Sequence, residues 1–395
     1  VDGGSLSGLP RPVWTLYLAS LVNRFGNSAV VFLALRMHAV GLGAGVVLTA
    51  YGVGGVGASL LGGYLADRWP RQWVIAGSAI PAAIGFLALG GVRDYSTAVA
   101  LALLTGLTAE MYRPAANALV ADLVEPERRV GAYVGYRLFT NVGFAVGPMV
   151  AGLLGGGDSP TVFVIAAFCC LGYAALVLFG VPSDKPAAAA GQHHGNAFPL
   201  IVRDRRFLLF LVGSFLAMFL LIQYQSTFAL FTRDIGRTSQ EFGLLVGANG
   251  LLVVLLSVPL AAATAPWRSG TALAVGFALT GLGFGLDTVA TGFGPLLLAV
   301  AVSTAGEVVF MPRSTSYVVE VAPAAMRARY LSALEGAWSV AMVASPGLGI
   351  ALYSVLGTGF WPVCAAVGVL AALTVLSGRT GPRLPAQEGA SLADR

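Results

Sequence analysis

Apolar residues run along this chain in stretches of roughly 20 to 28, broken by short polar punctuation, and no stretch shows the polar stripe of a surface helix. Each run is long enough to cross a ~30 Å hydrocarbon core as a helix. Twelve are predicted, over about 13–38, 44–66, 73–91, 96–120, 130–155, 160–181, 207–231, 240–263, 270–290, 294–318, 328–355 and 358–377. Gly and Pro inside them fit membrane helices, which carry more of both than soluble ones. The first run is too long for the apolar core of a cleaved leader and reads as the first crossing.

Composition turns this pattern into a class. The 395 residues are 57% hydrophobic and only 10% charged, with a mean hydropathy of +0.81, far below the ~25% charge of soluble domains. The chain is an all-α integral membrane protein. Of its 23 Lys and Arg, fifteen fall in the segments that are cytoplasmic if the N-terminus is inside, against Arg93, Arg233 and Arg237 in the opposite loops. By the positive-inside rule both termini are expected in the cytoplasm of a cell whose inner membrane holds the protein. The net charge of +5 reflects that asymmetry, so no nucleic-acid partner is read from it. Cys169, Cys170 and Cys364 lie within predicted helices and read as packing residues.

A shift of 198 residues aligns Trp69 with Trp267, Pro114 with Pro312, Asp122 with Glu320, Arg129 with Arg327 and Pro148 with Pro346. Two pseudo-symmetric six-helix bundles in the same orientation account for it: residues 1–181, a polar cytoplasmic linker at 182–206, and residues 207–395 ending in a short cytoplasmic tail. His193 and His194 in the linker lack the Cys or carboxylate company of a metal site, so no metal is predicted. Parallel six-helix repeats are the architecture of carriers that expose a midplane site alternately to each side.

Two short motifs carry a family resemblance. Gly63-Tyr-Leu-Ala-Asp67-Arg68-Trp-Pro-Arg71-Gln resembles the loop between helices 2 and 3 of the major facilitator superfamily, with Pro70 where the family has Gly and Gln72 in place of its last basic residue. At the cytoplasmic end of helix 2, Asp67 can pair with Arg71 or accept hydrogen bonds from a facing helix N-terminus; the resemblance implies that Asp67, Arg68 and Arg71 latch a cytoplasmic gate against the start of helix 11 near Arg327 or Arg329. Gly143-Phe-Ala-Val-Gly147-Pro148-Met-Val-Ala151-Gly152 resembles the helix 5 motif of the antiporter branch. Small residues four apart let backbones approach closely, so Gly143, Gly147, Pro148 and Gly152 form either a packing seam or a device that sets transport direction. The Arg that drug–proton antiporters carry in helix 4 is absent; Ala102 and Leu103 occupy its region.

Charges inside the spans cost about 2.5–3.5 kcal/mol each on insertion scales and are functional candidates by default. At 1.5 Å per residue Arg24 and Glu110 both lie roughly 15 Å from the cytoplasmic face, so they are expected to pair, with Glu110 as the proton-binding group or as half of a static pair. Glu307 in helix 10 is the alternative proton site. Arg113, Arg137, Arg313 and Glu335, nearer the cytoplasm, form an expected inner gate layer. Arg36, Asp287 and Glu241 fall at helix ends and are expected to snorkel to the interface.

Neutral polar and aromatic residues suggest the substrate: Gln223, Tyr224 and Gln225 on helix 7, Asn23 and Phe25 on helix 1, Asn141 on helix 5, Asn249 on helix 8 and Trp338 on helix 11. Aromatic faces with few fixed charges suit amphipathic or cationic organic molecules. There is no nucleotide-binding loop, zinc-protease signature or catalytic constellation, so a non-enzymatic carrier without cofactors is expected, acting as a monomer in the bilayer with protons and a small molecule as partners. Three readings stay open: proton-coupled efflux, import or facilitated passage of a small metabolite, and lipid handling or sensing on the same fold.

Overall fold

The computed structural model describes residues 9–182, 204–323 and 326–377, all helix and connecting turns. Most of the predicted linker, with His193 and His194, and the C-terminal tail lie outside the described residues. The helices are α1 (Arg11–Gly26), α2 (Leu33–Ala39), α3 (Ala44–Ala66), α4 (Arg71–Gly91), α5 (Tyr95–Glu110), α6 (Tyr112–Asp122), α7 (Arg129–Leu153), α8 (Thr161–Gly180), α9 (Arg205–Ile222), α10 (Thr227–Asp234), α11 (Ser239–Thr264), α12 (Ser269–Leu286), α13 (Phe293–Val321), α14 (Arg327–Leu356) and α15 (Phe360–Ser377). Among the described residues, nine helical spans are long and apolar enough to cross a membrane; the first joins α1 to α2, and the last, Arg329–Ser377, contains both α14 and α15. The predicted fourth and fifth crossings, α5 with α6 and α7, are helical but fall outside those nine.

By Cα proximity the chain divides into two compact units. Of the described residues, unit one holds 9–182, 224–254 and 346–350; unit two holds 204–223, 255–323, 326–345 and 351–377. Within unit one α3 packs on α5, α4 on α8, and α1 on both α7 and α8. Within unit two α12 packs on α13 and α15, and α9 on α15, around Phe207, Phe210, Phe277, Phe310 and Tyr330.

The 198-residue offset holds at the level of contacts. Arg71 pairs with Asp122 in unit one, and the same positions of unit two, Ser269 and Glu320, are joined by a 2.5 Å hydrogen bond from the Ser269 hydroxyl. A Cβ on Gly85 would strike Thr105, and one on Gly283 would strike Ser303, again the same pair of positions. Both close approaches need glycine, because a methyl group would sit 2.2 Å and 2.4 Å from its neighbour's side chain.

Helix ends explain several charges. The Arg36 guanidinium donates to the Gly90 carbonyl at 2.5 Å, that of Arg129 to Ala121 at 3.0 Å and that of Arg313 to Thr264 at 2.7 Å. Each cation thus sits on the last turn of α4, α6 or α11, where orphan carbonyls and the negative end of the helix dipole favour it. Arg36 is therefore tied to α4 rather than extended to the interface. Glu241 is likewise engaged: its carboxylate accepts from the Thr238 N–H at 2.9 Å while its own N–H donates to Thr238 Oγ1 at 3.1 Å, a reciprocal capping box that starts α11.

Two helices break at matching positions. A 3-10 turn, Asn27–Val30, separates α1 from α2, and another, Gln223–Gln225, followed by Ser226 at φ −129° and ψ −89°, separates α9 from α10. Asn27 and Gln225 are 198 residues apart. Interrupted membrane helices in corresponding places of two repeats are the best local pointer to a transport site.

Candidate functional site: a carboxylate between helix breaks

Unit one contains a third interruption, between α5 and α6 at Met111. Pro114 explains it: proline has no N–H to give to the carbonyl four residues back, which belongs to Glu110, and its ring crowds that carbonyl. The break places Glu110 at the end of α5 with only 8% of the residue exposed.

Close helix packing brings partners to it. α3 and α5 cross at Gly54 and Gly106, where an added Cβ would lie 2.1 Å from the Leu103 and Tyr51 carbonyl oxygens respectively. This crossing sets Tyr51 on α3 beside the end of α5, and leaves Gly55 facing the Glu110 side chain. Asn27, in the break after α1, donates from Nδ2 to Glu110 Oε1 at 3.0 Å. Tyr51 donates to Asn27 Oδ1 at 3.4 Å. Arg113, one turn along, pairs through Nε with the second carboxylate oxygen, and its side chain is 42% exposed. A buried acid is thus held by one amide and one partly exposed cation, and the amide is in turn held by a phenol.

The expected Arg24–Glu110 pair does not form. Arg24 pairs with no carboxylate among the described residues; its Cβ packs against Gly143 of α7. Depth arithmetic placed the two at one level, but α1 loosens just after Gly26, so Asn27 rather than Arg24 is turned toward α5. Asn27 and Tyr51 were not singled out from the sequence, although Asn27 is a polar residue at the end of an apolar helix and was open to notice. Glu307 is half-buried within α13 of unit two.

The other predicted site residues fall into separate settings. Asn23 is buried and lines a small pocket with Ser78, Thr108, Tyr112 and Tyr173 in unit one. Phe25 lines an apolar cleft between α1, α7 and α8. Asn141 is half-buried on α7, and Asn249 is buried on α11. Tyr224 packs edge-on to Phe228 at 5.5 Å, and Gln225 is half-buried beside it. Gln223 is fully buried and donates to the Phe219 carbonyl at 3.0 Å and to the Ser345 carbonyl of α14 at 3.4 Å, so it ties its own helix end to a neighbouring helix. Trp338 is half-buried against the aromatic cluster of unit two, its indole N–H enclosed without a hydrogen-bond acceptor.

In the loop between α3 and α4 Arg71 is buried and bonded to Asp122 rather than to Asp67. The cation at the start of α4 and the anion at the end of α6 each oppose their own helix dipole, and pairing cancels both penalties. Asp67 is exposed at the end of α3, and the Arg68 guanidinium lies 4.0 Å over the Tyr64 ring. Arg137 and Glu335 are exposed, while Arg313 caps α11 and forms no ion pair among the described residues.

The helix 5 motif is a two-sided seam. Cβ atoms on Gly143 and Gly147 would strike the Leu21 and Phe25 carbonyls of α1, and one on Gly152 would strike the Ser239 carbonyl at the start of α11. The Pro148 carbonyl lies 2.3 Å from where a Gly243 Cβ would stand.

Comparison with known proteins places these features in a group. The sequence profile of the Major Facilitator Superfamily matches residues 14–236. Among curated relatives, the uncharacterized MFS-type transporter YqjV of Bacillus subtilis is 25% identical over 88% of this chain and 87% of its own. The Na(+), Li(+), K(+)/H(+) antiporter of Planococcus maritimus is 23% identical over 85% and 86%. The multidrug resistance protein MdtH of Aeromonas hydrophila is 24% identical over 80% and 81%. Among solved structures, the nucleoside transporter NupG superposes with a TM-score of 0.82 at 15% identity, covering 94% of this chain and all of its own, a likeness that concerns the fold.

Proposed function

This chain belongs to the Major Facilitator Superfamily, and from that membership we propose that it is a secondary active transporter working by alternating access, expelling amphipathic or cationic organic compounds in exchange for protons. It is a multi-pass membrane transport protein rather than an enzyme. The observation that carries the coupling is the buried Glu110, ion-paired to Arg113 and hydrogen-bonded by Asn27 where two helix breaks meet. A buried carboxylate is tolerated while its cation and its donor stay in place, and becomes costly when either swings away. A change in the α1 or α5 break that moves Asn27 or Arg113 therefore draws a proton onto Glu110, and restoring the contacts releases it.

Relatives named as a cation/H(+) antiporter and as a multidrug resistance protein support this reading. We assign Glu307 as the alternative proton group, with Phe25, Asn141, Tyr224, Gln225, Asn249 and Trp338 as substrate contacts and Asp67, Arg68 and Arg137 as gate residues. The division into bundles 1–181 and 207–395, both termini in the cytoplasm of an inner membrane, and a monomeric carrier belong to the same proposal.

A second reading, uptake of a small metabolite, is favoured by the missing helix 4 Arg at Ala102–Leu103. Proteoliposomes with an imposed pH gradient separate the two. Gradient-driven concentration of a lipophilic cationic dye, with no effect of added nucleosides or dipeptides, supports efflux. Saturable flux of a metabolite with no movement of dye overturns it.

A further inference from the structure

We propose that Asp287 is a second proton-binding site, a carboxylic acid held neutral within unit two and independent of Glu110. Asp287 closes α12 as its C-cap residue, and rather than reaching the interface it is only 3% exposed. Its side chain forms no hydrogen bond or ion pair among the described residues, and its Oδ1 is enclosed without a partner, while its backbone N–H continues the helix by donating to the Phe284 carbonyl at 3.2 Å.

Three features oppose a negative charge there. The C-terminus of α12 presents the negative end of its dipole to the carboxyl group. Burial removes the water that would solvate an anion, and no charged side chain stands close enough to compensate. The titratable group that faces it is the free, buried Cys364 thiol of α15; the first turns of α13, from Phe293 to Val300, carry no ionisable side chain.

The repeat supplies an independent argument. The position equivalent to Asp287 in unit one is Leu89, which is fully buried. The surroundings of Asp287 are thus of the kind that encloses an apolar side chain at the same place in the other repeat. An acid in such a shell is accommodated as its uncharged form, and the ligand it takes is a proton rather than a metal cation, because among the described residues no cluster of three or more His, Cys, Asp or Glu gathers there.

The test uses the full chain in lipid nanodiscs and compares native protein with Asp287→Asn and Asp287→Leu, each also in a Glu110→Gln background. Infrared spectra at neutral pH are expected to show a protonated-carboxyl stretch that disappears in both Asp287 variants and survives Glu110→Gln. On shifting a lightly buffered sample to alkaline pH, native protein is expected to release one proton more per molecule than Asp287→Leu, whatever stands at position 110. Asp287→Leu is expected to keep or raise the melting temperature, since it restores the repeat's own residue. A neutral-pH spectrum unchanged by either substitution, or equal proton release, would show that Asp287 is ionised and overturn the proposal. Because these readouts need no transport, failure of dye efflux leaves them intact.

Discussion

Replacing Arg113 by Gln isolates the electrostatics of the candidate site. The substitution leaves the Glu110 carboxylate buried with Asn27 as its remaining hydrogen-bond donor. Removing one member of a fully buried pair costs about 3–5 kcal/mol. Arg113 has a side chain 42% exposed, so water already screens part of the attraction, and about 1–2 kcal/mol is the expected loss between the buried and surface limits. The double variant Arg113→Gln with Glu110→Gln carries no stranded charge and is expected to recover most of that loss. Thermal or denaturant unfolding of the four proteins in one detergent forms a double-mutant cycle, which reads the coupling directly. A coupling energy indistinguishable from zero, with Arg113→Gln equally destabilised whether or not Glu110 is present, would refute the view that Arg113 holds this carboxylate.

Asn27→Leu removes a hydrogen bond to a charged group and should cost about 1.5–3 kcal/mol in unfolding experiments, with Asn27→Asp disrupting transport further by placing two anions together. Gly106→Leu forces α5 from the Tyr51 backbone and is expected to abolish folded protein on size exclusion, whereas the same change at Gly63, where a Cβ meets nothing, should be tolerated. Asp94 caps α5, and hydrogen bonds from the Thr97 hydroxyl and N–H hold its carboxyl below the ordinary range. Its contribution is therefore present above the unfolded value of about 3.9 and lost as pH falls through the folded one, so Asp94→Asn should flatten the acid limb of the melting-temperature profile.

The fold was legible because its signals are long and redundant: apolar runs that need only length, and a repeat whose register of 198 residues reappears as the matched pairs Arg71–Asp122 and Ser269–Glu320. The site was legible in depth but not in direction. Rise per residue put Glu110 and Arg24 at one level, yet which side chain meets Glu110 depends on the azimuth of α1, and that azimuth changes where the helix loosens into a 3-10 turn at Asn27. Tyr51 enters only because Gly54 and Gly106 let two backbones touch, a fact of crossing geometry. Asp287 shows the same limit from the other side: counting residues put it at a helix end, while its burial depends on α15, some 75 residues later in the chain.

In the proposed cycle Glu110 carries the coupling proton. That role is tested most directly by measuring proton flux and dye flux together in one preparation of proteoliposomes, for native protein and for Glu110→Gln. Native protein is expected to move protons against dye and concentrate it, while Glu110→Gln equilibrates dye down its own gradient with no accompanying proton movement. Proton-driven accumulation that persists undiminished in Glu110→Gln would contradict it and shift the coupling to another group, with Glu307 the next to replace.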